Sequence, residues 1–245
     1  MSLAGFYDRV PAPITRNDES NGYFHFHEEG VARSPLIRGK DLAFLAREGV
    51  LTEATMKPLT HGFMIDTYML RSVYTKYASW AIYTAEFLSS LAEMVEGRRV
   101  VEVGAGRGLL QPLMRERGID WLSTDRTPPQ RLPGHPYVMK RGWRRALKPK
   151  WGAEVAFMSW WPYQDGDDCQ IAARCVEMGI PLIVVGEGYW GCTGTKEFWS
   201  DDQPWKIHGM PDWFSDVPQW SGIHDYTYVA IPKKSEPKDF FPNWG

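Results

Sequence analysis

The stretch Arg98-Arg99-Val100-Val101-Glu102-Val103-Gly104-Ala105-Gly106-Arg107-Gly108 decides the fold. Its valines read as a short buried strand. The glycines that follow allow a tight turn and let a ligand come close to the backbone. Gly108 to Gly118 (GLLQPLMRERG) then reads as a helix closed by glycine, with Pro112 tolerable only in its first turn. Ile119 to Asp125 (IDWLSTD) is a second strand that ends in an acid. Asp125 stands 21 residues past Gly104. A carboxylate there is placed to accept hydrogen bonds from the ribose hydroxyls of a nucleoside cofactor. No GxxxxGK[ST] run occurs, so the glycines do not read as a phosphate loop.

Working outward, Glu154 to Trp160 (EVAFMSW) is a third strand and Pro181 to Glu187 (PLIVVGE) a fourth. Asp168 to Gly179 between them reads as a helix. Asp225 to Lys233 (DYTYVAIPK) reads as an edge-like or terminal strand. Strands alternating with helices predict an α/β open sheet with helices on both faces. Upstream the texture is helical: a short helix over 41–49, a turn or helix from Thr52 to Met56, and an aromatic-rich helical stretch from Ile65 to Met94, broken near Ser79. Residues 1–36 carry prolines and glycines without a clear period and read as an arm. The chain therefore divides into an N-terminal arm and helical extension over 1–97 and a Rossmann-like domain over 98–245.

EVGAGRG followed by Asp125 resembles motif I and the acidic second-strand end of class I S-adenosylmethionine-dependent methyltransferases. The resemblance covers about residues 98–231 and implies that fold, that activity and S-adenosylmethionine as cofactor. It implies a cofactor-binding set of Glu102, Gly104, Gly106, Gly108, Asp125 and Ser159, with Glu102 near the methionine end, the glycines beneath the cofactor and Asp125 at the ribose. Dinucleotide sites are the rival, but they use GxGxxG. Here Gly108 comes one residue early and Leu109 stands where the third glycine belongs.

Methyltransferases acting on amino groups often carry Asn/Asp-Pro-Pro-Tyr after the matching third strand. This chain has Ser159-Trp160-Trp161-Pro162-Tyr163. Trp160 stands where the amide or carboxylate would be, and an indole donates a hydrogen bond but accepts none. An exocyclic amine is therefore not the indicated acceptor. Trp161, Pro162, Tyr163 and Trp190 are the candidate substrate-binding residues, since their rings can stack on a planar compound. Glu187 follows the fourth strand at the carboxyl end of the sheet, where ligands of such folds sit. It and Tyr163 are the candidate catalytic residues, Glu187 as a general base. His224 beside Asp225 reads as structural, because neighbours on a strand face opposite ways.

Composition sets the outer bounds. The chain has 245 residues, 43% hydrophobic and 24% charged, which excludes a disordered polymer. Three cysteines, Cys169, Cys175 and Cys192, exclude a disulfide scaffold and suit a reducing compartment. No apolar run is long enough to cross a membrane, and the first residues lack a signal peptide's pattern. A cytoplasmic protein with no membrane partner is the expectation. No cysteine or histidine spacing suggests a metal; His25 and His27 read as a solvated strand face. Net charge is −2, but eight basic and no acidic residues occur between Arg126 and Ala153. That run, 126–150, is a candidate surface for an anionic partner. Aromatic residues of the arm (Phe6, Tyr7, Tyr23, Phe24, Phe26) are candidates for anchoring a protein partner. The methyl acceptor stays open among small molecules, proteins and nucleic acids. The alternative function is a non-catalytic methyltransferase-like interaction or assembly protein.

Overall fold

The computed structural model describes residues 23–24, 37–60, 64–128, 138–162, 165–189 and 191–245. Two short strands, β1 (Tyr23–Phe24) and β2 (Ile37–Arg38), pair antiparallel. Helices α1 (Gly39–Arg47), α2 (Glu53–Thr60), α3 (Met64–Tyr77) and α4 (Ala85–Met94) follow. The break expected near Ser79 falls between α3 and α4. There Thr84 caps α4 by accepting the Phe87 amide at 3.2 Å, which satisfies a donor the helix itself cannot. Phe87, Leu88, Leu91 and Met94 form the buried face of α4, three and four residues apart as a helix stripe requires.

The remaining elements are β3 (Arg99–Val103), α5 (Leu110–Glu116), β4 (Asp120–Asp125), β5 (Met139–Lys140), α6 (Trp143–Ala146), β6 (Val155–Ser159), α7 (Asp167–Met178), β7 (Leu182–Glu187), β8 (Trp205–Gly209), β9 (Asp225–Pro232) and α8 (Pro237–Phe240). Seven strands form one sheet in the order β5-β4-β3-β6-β7-β9-β8. The first five run parallel; β9 is antiparallel to both β7 and β8. The expected α/β open sheet is thus present. β9, read as edge-like, lies inside the sheet, because β8 pairs along its outer side. The short β5, α6 and β8 were not legible: two-residue pairing has no period, and the polar face of β8 hides its strand.

Alternation divides the apolar residues between the two faces. Val100, Val155, Phe157, Ile183 and Val185 belong to one buried cluster, and Val101, Val103, Ala156, Met158, Leu182 and Val184 to the other. Strands buried on both sides must be apolar on both, which is why these runs lack a polar alternation. The first cluster also takes in Leu42, Tyr74, Phe87 and Leu91 from the N-terminal helices and Phe241 near the C-terminus. Those helices therefore share a core with the sheet.

Candidate functional site

The parallel strands all point their carboxyl ends at one rim, where open α/β sheets bind ligands. At its β3–β4 end lies the glycine turn. Gly104, Gly106 and Gly108 have φ of +68°, +53° and +70°, a region closed to most side chains. Asp125, the last residue of β4, accepts the Gly106 amide at 2.9 Å through Oδ2 and the Thr127 amide at 2.7 Å through Oδ1. The acid so holds the turn in shape, and each oxygen keeps a lone pair for a further donor. A Cβ built on Gly106 would meet nothing within 4 Å, so the backbone there is open to an approaching group.

Glu102 projects beneath this turn, on the sheet face shared with Trp121 and Ser123. Register places Ser123 directly opposite it. Oε2 accepts from Trp121 Nε1 at 2.9 Å and from the Ser123 hydroxyl. Burial pushes the Glu102 carboxyl up to about 7, although both hydrogen bonds pull it down. Ser159, at the end of β6, pairs with the buried hydroxyl of Tyr83. The six expected cofactor residues thus lie at the carboxyl ends of three adjacent strands, β4, β3 and β6.

The acceptor-side residues separate into several places. Trp160 is the one described residue other than glycine with positive φ, at +50°. Such a conformation costs energy and persists only where surroundings impose it. Here the Trp160 amide donates to Val185 O at 2.8 Å and its Nε1 to Asp225 Oδ2 at 3.0 Å. Trp161 turns the other way and lies against Gly104; a Cβ on that glycine would come 2.8 Å from Trp161 Cζ3. Pro162 is exposed and bridged antiparallel to Thr193. Tyr163 and Trp190 lie outside the described residues.

Glu187 is buried at the end of β7. Its Oε2 accepts from the Cys192 amide at 2.9 Å and the Cys192 thiol at 2.8 Å, and Oε1 accepts the His224 amide at 3.2 Å. Burial pushes its carboxyl up, but these donors outweigh burial and hold it below the usual range. The same contact pushes the Cys192 thiol up to about 11, together with burial. Glu187 therefore ties the loop after β7 to the strand end. Glycine is needed at position 191, where a Cβ would come 2.0 Å from that of Glu187. A carboxylate so engaged is a weak proton acceptor.

Two charged residues that sequence reading did not single out complete the rim. Asp225 begins β9 opposite Glu187 and is fully buried. Burial, opposed by the Trp160 hydrogen bond, pushes its carboxyl up to about 7, and its Oδ1 has no partner. Arg71 of α3 lies with its guanidinium 4.8 Å from the Trp160 ring and 5.3 Å from the Trp80 ring. A charged residue amid the buried positions of α3 was the available signal. Among the described residues no group of histidines, cysteines and acids could hold a metal. In the basic run, Arg144 pairs with Asp167 at 3.2 Å and Arg141 packs on Trp151 at 4.1 Å. Arg126, Lys140, Arg145, Lys148 and Lys150 are exposed.

No family model matches the chain, and no curated protein does. Among solved structures it is similar to human N-acetylserotonin methyltransferase in complex with SAM, at 10% identity and TM-score 0.39, over 79% of this chain and 66% of that one. It is similar to magnesium protoporphyrin IX methyltransferase from Synechocystis PCC 6803 with bound SAM, at 10% identity and TM-score 0.41, over 79% and 98%. The mitomycin 7-O-methyltransferase MmcR matches at 11% identity and TM-score 0.35, over 78% and 66%. The chain spans about two thirds of the length of the first and third. The fold is read from the sheet: five parallel strands extended by an antiparallel strand set inside the last one. The chain has a class I methyltransferase-like Rossmann fold.

Proposed function

We propose that this chain transfers a methyl group from S-adenosylmethionine to an acceptor bound over the ends of β6, β7 and β9. One observation carries the reading: Asp125 and the Gly104–Gly108 turn are locked together at the adjoining ends of β3 and β4. The residues present suit the cofactor. Asp125 has free lone pairs for ribose hydroxyls, and the backbone at Gly106 is open. Bound there, S-adenosylmethionine would supply a methyl carbon already activated by positive sulfur. The protein's own part is then orientation, exclusion of water and control of the acceptor's proton. Glu187 spends its carboxylate on the loop and is not the indicated proton acceptor.

Calorimetry with S-adenosylmethionine, S-adenosylhomocysteine and NAD tests this reading. Saturable binding of the first two and none of NAD is expected. A second reading, a methyltransferase-like protein without catalysis, is favoured by the Trp161 ring lying against Gly104. If that ring closes the site, Trp161→Ala raises cofactor affinity severalfold. If it is only a wall, the affinity is unchanged or falls.

A further inference from the structure

Among the described residues, two of the three guanidinium nitrogens of Arg71 stand without a hydrogen-bond partner. Its Nε and Nη2 are both buried and neither makes a hydrogen bond. These two nitrogens form one edge of the guanidinium, the edge that meets a carboxylate with two parallel N–H···O bonds. Leaving charged donors buried and unpaired is costly, and each such group calls for an explanation. Close by lies a second oxygen without a partner among the described residues, Asp225 Oδ1. Arg71 and Asp225 feel each other's charge, yet no ion pair joins them. Trp160 links the two, its ring lying against the Arg71 guanidinium and its Nε1 donating to Asp225 Oδ2.

The walls are aromatic. Trp80 and Trp160 stack with centroids 5.4 Å apart and planes 25° from parallel, and the Arg71 guanidinium lies against both. Trp80 is 55% exposed and forms the solvent side. The location is the acceptor half of the rim, at the ends of β6, β7 and β9, rather than the β3–β4 half where Asp125 stands.

We propose that Arg71, walled by Trp80 and Trp160 and facing Asp225, is the docking site for a carboxylate on a planar methyl acceptor. This rests on the methyltransferase reading and narrows it to acid-bearing small molecules. A phosphate fits less well, because Glu187 and Asp216 as well as Asp225 bear on this region and disfavour a second negative charge. With its carboxyl pushed upward, Asp225 can carry a proton near neutrality, and a protonated Asp225 can donate to the incoming carboxylate. The other titratable groups that bear on Asp225 are the Cys192 thiol and the Tyr83 and Tyr228 hydroxyls, all pushed upward and therefore neutral near pH 7. The N-terminal helices then take part in recognition, with α3 supplying the residue that reads the acceptor.

The test uses the full chain and fluorine NMR of three probes: 4-fluorobenzoate, 4-fluorobenzamide and 4-fluorophenylphosphonate. The benzoate is expected to bind, with the amide and the phosphonate each weaker by about tenfold or more. Arg71→Gln is expected to weaken the benzoate by about tenfold or more, and Arg71→Lys, which keeps the charge but not the fork, by an intermediate factor. Circular dichroism confirms that each variant is folded; should Arg71→Gln fail to fold, Arg71→Lys decides. S-adenosylhomocysteine affinity, measured on the same samples, separates this proposal from the one beneath it. Benzoate binding lost in Arg71→Gln with S-adenosylhomocysteine affinity unchanged supports the site. No benzoate binding by folded protein, equal binding by the variants, or preference for the phosphonate overturns it. A carboxylate belonging to the cofactor instead of the acceptor would show as S-adenosylhomocysteine affinity lost in Arg71→Gln, and that too overturns the assignment. Benzoate binding without any S-adenosylhomocysteine binding would leave the carboxylate contact standing and remove the methyltransferase reading.

Discussion

Trp160 Nε1 donates to Asp225 Oδ2 at 3.0 Å, joining the end of β6 to the start of β9 across the end of β7. The bond links a residue in a strained conformation to a buried acid. It is the one hydrogen bond made by that carboxylate's oxygens among the described residues. Trp160→Phe keeps the ring and removes the donor. The variant should lose about 1–3 kcal/mol of stability, the cost of stripping a buried polar group of its partner. The loss should be larger at pH 8 than at pH 6, because the charged carboxylate needs the donor more. Urea unfolding at the two pH values measures both; equal losses would contradict the assignment.

Stability should fall as pH rises from about 4 to above 7. Asp225 and Glu102 each have a carboxyl pushed up to about 7 by burial. Between the ordinary carboxylate range and 7 the folded chain then holds more protons than the unfolded one, so raising pH favours unfolding. Around Asp225, Glu187 and Asp216 push its carboxyl up while Arg71 and Trp160 pull it down. Glu187 itself works in the opposite sense, its stabilisation being lost on acidification. The two raised acids together contribute on the order of a few kcal/mol. Urea midpoints at pH 5.5 and 7.5 should show the decline, and Asp225→Asn with Glu102→Gln should flatten it. A midpoint that rises over this range, or a slope the variants leave untouched, would count against it.

Gly191→Ala should open the loop after β7. The added Cβ would overlap Glu187, whose carboxylate gathers the Cys192 and His224 amides. Glu187→Gln exchanges one acceptor oxygen for an amide that cannot accept. It should cost about 1–3 kcal/mol and speed proteolysis near Cys192. Turnover that is lost with the loop still protected would instead return Glu187 to the role of base.

The run from Arg126 to Lys150 offers a separate test. Arg144 is engaged with Asp167 and Arg141 with Trp151, but Lys140, Arg145, Lys148 and Lys150 are exposed. Reversing Lys140, Arg145, Lys148 and Lys150 to Glu should abolish any binding to heparin or RNA at low salt, and wild-type binding should weaken steeply as salt is raised. Retention unchanged by the reversals would reduce this run to a solvated surface.

Much of the sheet was legible because its strands are apolar runs punctuated by glycine. The turn at Gly104–Gly108 and the acid at Asp125 were legible because the glycines follow one apolar run, open a helix and precede an acid that ends the next run. What was hidden depends on register and on contacts far apart in sequence. Glu102 looks like a cofactor ligand in isolation; that Ser123 and Trp121 share its face follows only once β3 and β4 are aligned. Glu187 looked like a base because its position is right, and nothing local announces that Cys192 and His224 fold back on it. Arg71 and Asp225 lie 154 residues apart. Asp225 was overshadowed by its neighbour His224, which points outward while Asp225 points in.

On the proposed function, Asp125 and the glycine turn hold S-adenosylmethionine. Isothermal calorimetry of the wild-type chain and of Asp125→Ala with S-adenosylhomocysteine tests it most directly. Saturable wild-type binding is expected, weakened at least about tenfold in a folded Asp125→Ala variant. No binding by the wild type, or the same affinity in both, would contradict it.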